Sequence, residues 1–293
     1  MAKLKPPILV IGATRSGTSM LINLLSQADN VCRWYEPTTL WRIGRAYRSV
    51  DNATAEDAKP WIIRRIRRVF LEYQEAHDGR RVIEKTPSNV VRIGFVHRTL
   101  PEAKIVHIYR DGRANIRSQI EMTRTFRAYG LGQRQVQRHI MGRLRITPWW
   151  EWPAYIPRSL SSFVHVQILD KQVPWFGLRY PGWKKDRKCL TSPQIAAKQW
   201  VVAVETALSD LEKLPRASWL GIRYEEVVAA PRTWFERITE FCGLEANDTY
   251  WKKISTSVRP ESKERWVNEL DARDLAEAMP ILEPSLKRLG YLN

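Results

Sequence analysis

The sequence predicts an α/β protein, with a parallel β-sheet flanked by helices, and three observations carry that expectation. Short apolar runs at residues 8–11, 81–83, 104–109 and 219–224 alternate with longer stretches of helical periodicity. The runs end in glycine or polar residues, and no internal repeat breaks the alternation. At 293 residues the chain is long enough to bury one large core, so a single domain spanning 1–293 is expected, with residues 124–193 as an insertion covering the sheet edge.

The first run, Ile8-Leu-Val-Ile11, reads as a strand buried on both faces, and Gly12 ends it. Met20, Leu21, Leu24 and Leu25 recur at helical spacing, so a helix is expected from Ser16 or Gly17 onward. A strand, a tight loop and a helix N-terminus converge backbone N–H groups on one point, which favours an anion. The spacing Gly12-x-x-x-x-Gly17 followed by Thr18-Ser19 is nearly that of a nucleotide-hydrolysing P-loop. Thr18 stands where that loop needs lysine, and the cation sits instead at Arg15. By itself the motif is also compatible with a plain strand-to-helix turn.

Residues 31–39 follow, and Pro37 excludes regular helix at Glu36, which is expected on a loop beside the cradle. A solvated loop carboxylate is the plainer account of Glu36. Residues 61–75 form an amphipathic helix with Ile62, Ile66, Val69, Phe70 and Tyr73 on its apolar stripe and Arg64, Arg65, Arg67 and Arg68 elsewhere. Such basic helices serve as solvated faces, and some lie on membranes or grip polyanions. The run Arg81-Val-Ile83 leads into Glu84-Lys-Thr-Pro87, and the run at 104–109 leads into Arg110-Asp-Gly-Arg-Ala-Asn-Ile-Arg-Ser118, a turn that continues as a helix. Ligands of parallel sheets lie beyond the carboxyl ends of the strands, so the segments at Gly12, Lys85 and Arg110 should meet along one edge.

Between 124 and 193 the composition changes to crowded Trp, Tyr, Pro and Gly with little periodicity, which reads as a helical or irregular, aromatic-rich insertion over the sheet edge. Its rings suit stacking on sugars or aromatic acceptors, or packing as a lid. A long helix resumes at Pro193 with Ala197, Val201, Val204, Leu208 and Leu211 inward. The run at 219–224 is followed by Glu225-Glu226 and a helix with Phe235, Ile238 and Phe241 inward. Residues 258–266 read as a polar loop, and 275–289 as a closing helix ended by Gly290.

Composition narrows the classes. The 44% hydrophobic content contains no apolar run near membrane-spanning length. Met1-Ala-Lys-Leu-Lys-Pro-Pro leads almost directly into the first strand with no secretory pattern, so a cytoplasmic setting is expected, with peripheral attachment to a membrane compatible with it. The 3 cysteines, Cys32, Cys189 and Cys242, lack metal or disulfide spacing, and the 5 histidines are scattered, so no metal site is expected. The formal charge of +17 favours an anionic partner without choosing among nucleic acid, membrane, acidic glycan and polyphosphorylated cofactor.

These residues together resemble the sulfotransferases that use 3'-phosphoadenosine 5'-phosphosulfate (PAPS) and release 3'-phosphoadenosine 5'-phosphate (PAP), from Ile8 to Tyr291 with the middle third divergent. Arg15, Ser16, Gly17, Thr18 and Ser19 match the family's loop for the 5'-phosphosulfate, and Arg110 with Ser118 matches its 3'-phosphate segment. Further matches follow the branch that includes tyrosylprotein and bacterial carbohydrate sulfotransferases. There Glu36 resembles the catalytic glutamate, Lys85 the transition-state lysine, and Tyr224 the strand-end tyrosine that contacts the nucleotide. Ser257 and Arg259 fall in the region that supplies a late serine and a basic contact. The resemblance implies transfer of a sulfuryl group to an acceptor hydroxyl, of a carbohydrate or glycolipid given the aromatic insertion and basic surface, or alternatively of a tyrosine or other phenol.

Physical chemistry supports the same reading. Sulfuryl transfer asks the protein mainly to align attacker and leaving oxygen and to stabilise spreading charge. A sulfuryl group carries less charge than a terminal phosphate, so lysine and arginine can take the place of magnesium. Two other classes fit parts of the pattern: a P-loop kinase or nucleotide hydrolase, against which Thr18 counts, and a non-catalytic polyanion or membrane-surface binder, which the charge suggests. Oligomeric state has no signature in the sequence, and nucleic acid is not an expected partner.

Overall fold

The computed structural model describes residues 3–129, 146–155, 177–258 and 265–292. Among them a five-stranded sheet runs in the order β2-β3-β1-β4-β5. The strands are β1 (Ile8–Ile11), β2 (Val31–Tyr35), β3 (Arg81–Lys85), β4 (Lys104–Tyr109) and β5 (Trp219–Arg223), and every neighbouring pair is parallel. This is the α/β fold expected.

Helices cover both faces. They are α1 (Thr18–Leu25), α2 (Pro60–Glu75), α3 (Ile93–Thr99), α4 (Gly112–Tyr129), α5 (Trp183–Cys189), α6 (Ser192–Leu211), α7 (Tyr224–Ala229), α8 (Pro231–Cys242), α9 (Asp248–Ser257), α10 (Arg265–Glu269) and α11 (Ala272–Arg288). Strand periodicity divides the core in two. Leu9, Ile11 and Ile105 face a cluster with Ile66 and Phe70 of α2, Phe95 of α3, Trp200 and Val204 of α6, and Leu282 and Leu286 of α11. Ile8, Val10, Ile83, Val106 and Ile108 face the other, with Leu21 and Leu25 of α1, Val227 of α7, Phe235 and Ile238 of α8, and Ile254 of α9. A strand buried on both faces needs apolar residues throughout, which is why β1 has no polar position.

Several elements differ from the sequence reading. Residues 31–35, to which the sequence assigned no element, form the edge strand β2, in register with β3 from Val31↔Arg81 to Tyr35↔Lys85. Its one solvated face carries Arg33 and Tyr35, so β2 lacks the continuous apolar run of a central strand. Tertiary contact completes it: Trp34 stacks on Tyr73 of α2 with centroids 4.3 Å apart. Helix α1 starts at Thr18 because Gly17, at φ 95°, is its left-handed N-cap. The inward face of α6 is turned from that expected, with Ala196, Trp200, Ala203 and Ala207 buried beside Ala197, Val204 and Leu211.

In the 124–193 region, the described residues hold a short 3-10 turn at Trp149–Glu151 and helix α5. Tyr180 is buried there, whereas Trp149, Trp150 and Trp152 are exposed. The remainder of that expectation, and Arg259, lie outside the described residues. No helix among the described residues is long and apolar enough to cross a membrane.

Candidate active site

All five strands are parallel, so their carboxyl ends share one edge, and the loops leaving them bring the expected site residues together. β1 delivers Arg15, Ser16 and Gly17; β2 delivers Glu36; β3 ends in Lys85; β4 is followed by Arg110; and β5 by Tyr224. Because β1 is central, the anion cradle sits between two flanks. Glu36 and Lys85 lie on one, and Arg110, Ser118 and Tyr224 on the other.

The cradle is tightly built. Ser16 is buried, and its N–H donates to the Ala13 carbonyl at 3.1 Å. A side chain on Gly12 would lie 2.3 Å from the Ile108 carbonyl oxygen, and one on Gly17 would lie 2.5 Å from the Tyr224 ring. No side chain caps α1, and its first turn holds no acidic residue. The leading N–H groups of α1 are therefore left for an external acceptor, and the dipole there favours an anion. Arg15 adopts φ 70°, a conformation that costs a non-glycine residue about 1–2 kcal/mol. It donates from Nε to Ser118 Oγ at 3.0 Å and from a terminal nitrogen to Met122 Sδ at 3.4 Å.

Asn115 belongs to the same arrangement, and the sequence reading missed it. Its buried side chain donates to the Thr14 carbonyl at 2.7 Å and to Ser16 Oγ at 3.2 Å. Asn115, Ser118 and Met122 fall on one face of α4, so helical spacing counted back from Ser118 is the signal that finds it.

On the β4–β5 flank the Arg110 guanidinium stands over the Tyr224 ring at 4.2 Å. Burial lowers the Arg110 pKa from its usual value, while Tyr224 and Glu225 oppose that shift. Trp200 of α6 donates from its indole to the Arg110 carbonyl at 3.0 Å. Glu225 accepts from the Asp111 N–H at 3.1 Å and from the Tyr291 hydroxyl at 2.9 Å. These bonds hold the β4–α4 turn from below, and neither partner of the turn, Trp200 or Glu225, was expected to serve it.

On the other flank, Lys85 Nζ lies 2.6 Å from Glu36 Oε1. The Lys85 side chain is 4% exposed and that of Glu36 28%. Glu36 sits at φ 50°, with its N–H on the Lys85 carbonyl at 3.1 Å and its own carbonyl accepting from the Thr38 N–H at 2.7 Å. Strained non-glycine backbone concentrates at functional sites, and here it occurs both in the cradle and at the facing carboxylate. Tyr35, also unforeseen, lies under the Lys85 ammonium, 4.7 Å from the ring centroid.

Of the remaining expected residues, Thr18 is buried in the first turn of α1 and Ser19 is exposed beside it. Ser257 is exposed at the end of α9 and takes no part in the contacts described for the cradle and its flanks.

Together the arrangement offers an anion cradle, cations on both sides and a carboxylate opposite, which is a site for transferring a charged group from a nucleotide-like donor. Comparison with known proteins identifies the class. A model described as the sulfotransferase family matches residues 6–152 and 166–248. The chain belongs to that family, and it is a PAPS-dependent sulfotransferase. Protein-tyrosine sulfotransferase 1 of Danio rerio is 21% identical over 321 residues, covering 98% of this chain and 72% of that protein. Among solved structures, the sulfotransferase domain from the curacin biosynthetic pathway has a TM-score of 0.57 at 14% identity, covering 99% of each chain. The sulfotransferase domain of the Synechococcus PCC 7002 olefin synthase has a TM-score of 0.50 at 14% identity, covering 97% of this chain and 96% of that one. At these identities the two structures speak for the fold.

Proposed function

We propose that the protein transfers a sulfuryl group from PAPS to an acceptor hydroxyl with Glu36 as general base. The observation that carries this reading is the position of Glu36, held across the sheet edge from the cradle and paired with Lys85 at 2.6 Å. Arg15, Ser16, Gly17, Thr18 and Ser19 hold the phosphosulfate end of the donor, Arg110 and Ser118 the 3'-phosphate, and Tyr224 the nucleotide. The fit rests on the uncapped N-terminus of α1 and on the cations beside it. When bound, PAPS supplies an activated sulfuryl group. Glu36 takes the acceptor proton as the acceptor oxygen bonds to sulfur, and Lys85, Arg15 and the cradle amides neutralise the phosphate oxygen that keeps the electrons of the broken sulfur–oxygen bond. A carboxylate is a weak base for an alcohol, so its contribution comes in the transition state, on the order of 10²–10⁴-fold. Ser257 and Arg259 are retained as contacts of the donor from the late segment.

The acceptor proposed is a carbohydrate or glycolipid hydroxyl, supported by the exposed tryptophans Trp149, Trp150 and Trp152 and by the charge of +17. Peptide tyrosine is the second reading, favoured by the sequence relative from Danio rerio. Incubation with sulfur-labelled PAPS and a panel of oligosaccharides, glycolipids and tyrosyl peptides, read by mass, tests both. Label entering sugars supports the first reading, and label confined to tyrosine replaces it with the second. Label in neither class removes both acceptor assignments.

A further inference from the structure

The molecule carries an aromatic surface that the donor site does not use. Trp149 is 72% exposed, Trp150 53%, Trp61 41% and Trp152 39%. Large rings left in water at this density are unusual unless something covers them. They come from separate parts of the chain that the fold joins. Glu151, buried between Trp150 and Trp152, accepts the Gly44 N–H at 2.5 Å. A Cβ on Gly44 would in turn lie 3.2 Å from Trp61 Cζ2. The Trp149 and Trp150 rings meet edge to face with centroids 5.8 Å apart, and the Trp152 indole donates to the Thr147 carbonyl at 3.2 Å. Tyr47, 68% exposed, lies on the loop just beyond Gly44.

Helix α2 extends this surface with charge. Trp61, Arg64 and Arg68 repeat at i, i+3 and i+7, so one stripe of the helix presents an indole and then two guanidiniums, all exposed. The opposite stripe, Ile62, Ile66, Val69 and Phe70, is buried. Glu72 meets Arg68 at 3.5 Å, but as a solvated pair of exposed side chains it holds the cation only weakly. Glu151, between Trp150 and Trp152 in the chain, is turned inward to Gly44 and adds no exposed carboxylate beside the tryptophans.

We infer that this face, Trp61, Trp149, Trp150 and Trp152 with Arg64 and Arg68, docks the protein on an anionic phospholipid bilayer. Indole rings partition into the headgroup region, where an apolar body and a polar N–H are both satisfied. Arginines beside them meet lipid phosphates, and the two contributions reinforce each other in peripheral proteins. The charge of +17 brings the whole chain toward such a surface, and the tryptophans select the face that touches it. The inference draws on the same exposed tryptophans as the carbohydrate reading of the acceptor, and the experiments separate the two: flotation reads docking, whereas the sulfur label reads the acceptor.

Flotation of the full chain with vesicles of phosphatidylcholine, or of phosphatidylcholine mixed with phosphatidylglycerol, tests it. The protein should float with the mixed vesicles, less so as salt is raised. The double variant Trp149→Ala, Trp150→Ala keeps the charge and should lower partitioning by at least about tenfold. Arg64→Gln with Arg68→Gln should lower it as well and flatten the salt dependence. Thermal stabilisation by adenosine 3',5'-bisphosphate reports that each variant is folded, and the single variant Trp149→Ala, at the most exposed ring, serves if the double one is not. Unchanged flotation of the tryptophan variants would mean that net charge alone binds the vesicles and would overturn the inference. Failure of the parent chain to float would do the same, as would a tryptophan-dependent binding of dextran sulfate with no such dependence for vesicles.

Discussion

Lys85 Nζ and Glu36 Oε1 are 2.6 Å apart, contributed by the ends of two adjacent parallel strands. The lysine is almost wholly buried and the carboxylate partly open, so the pair shields an ammonium that would be costly alone while the carboxylate stays open to solvent.

Glu36→Gln keeps a hydrogen-bond acceptor for Lys85 and removes the base. Turnover should fall by about 10²–10⁴-fold with little change in thermal stabilisation by adenosine 3',5'-bisphosphate. Turnover near that of the parent would take the base role from Glu36.

Lys85→Met should reduce turnover with every acceptor, because the proposed stabilisation acts on the departing phosphate oxygen. Removal of one such electrostatic contact costs about 10²–10³-fold. A loss confined to KM for one acceptor would assign Lys85 to acceptor binding.

Arg110→Ala and Ser118→Ala should weaken adenosine 3',5'-bisphosphate far more than ADP, since only the former carries the 3'-phosphate. A lost charged hydrogen bond is worth about 1.5–3 kcal/mol, or roughly 10- to 100-fold in affinity for the arginine variant. Calorimetric titration with both nucleotides checks it, and equal losses would place Arg110 elsewhere on the donor.

Gly17→Ala puts a methyl group 2.5 Å from the Tyr224 ring at φ 95°. The strain is at least about 1 kcal/mol in the cradle, and donor affinity should drop together with thermal stability. Adding Tyr224→Ala should relieve the clash but not restore affinity, because the ring itself is proposed to meet the nucleotide.

Stability should fall as pH rises through neutrality. Burial pushes the Glu84 carboxyl up from its usual 4.5 to about 7, against the hydrogen bond from Thr86. The folded chain thus holds that proton more tightly, and the contribution is complete below about 4.5 and lost as pH rises through about 7. His107 runs the other way: burial lowers it from 6.5 to about 4, so its contribution is present above 6.5 and lost as pH falls toward 4. The two oppose each other between these usual values, and only Glu84 acts above them. Melting temperatures measured across that range should decline from about pH 6.5 to 8 in the parent and stay flatter in Glu84→Gln.

The central strands were legible in the sequence because burial on both faces demands uninterrupted apolar residues, as at residues 8–11 and 104–109. β2 was not, because an edge strand with one wet face has no such demand, and its pairing with β3 and the stacking of Trp34 on Tyr73 are long-range. Arg15 stood out in its loop, and Arg110 and Ser118 were named through the resemblance of their segment to that of the sulfotransferases. Asn115, Trp200 and Tyr35 support them through contacts across the fold, which a linear pattern does not encode.

By itself, then, the sequence determined the central strands and the strand–loop–helix of the cradle, since each depends on local spacing and on which side chains resist water. Only the tertiary structure decided the closing of Lys85 on Glu36, the seating of the Tyr224 ring against Gly17, and the joining of Trp61 to the tryptophans near Glu151. The reason is physical: these pairings lie far apart along the chain, and their geometry is set by strand order and core packing.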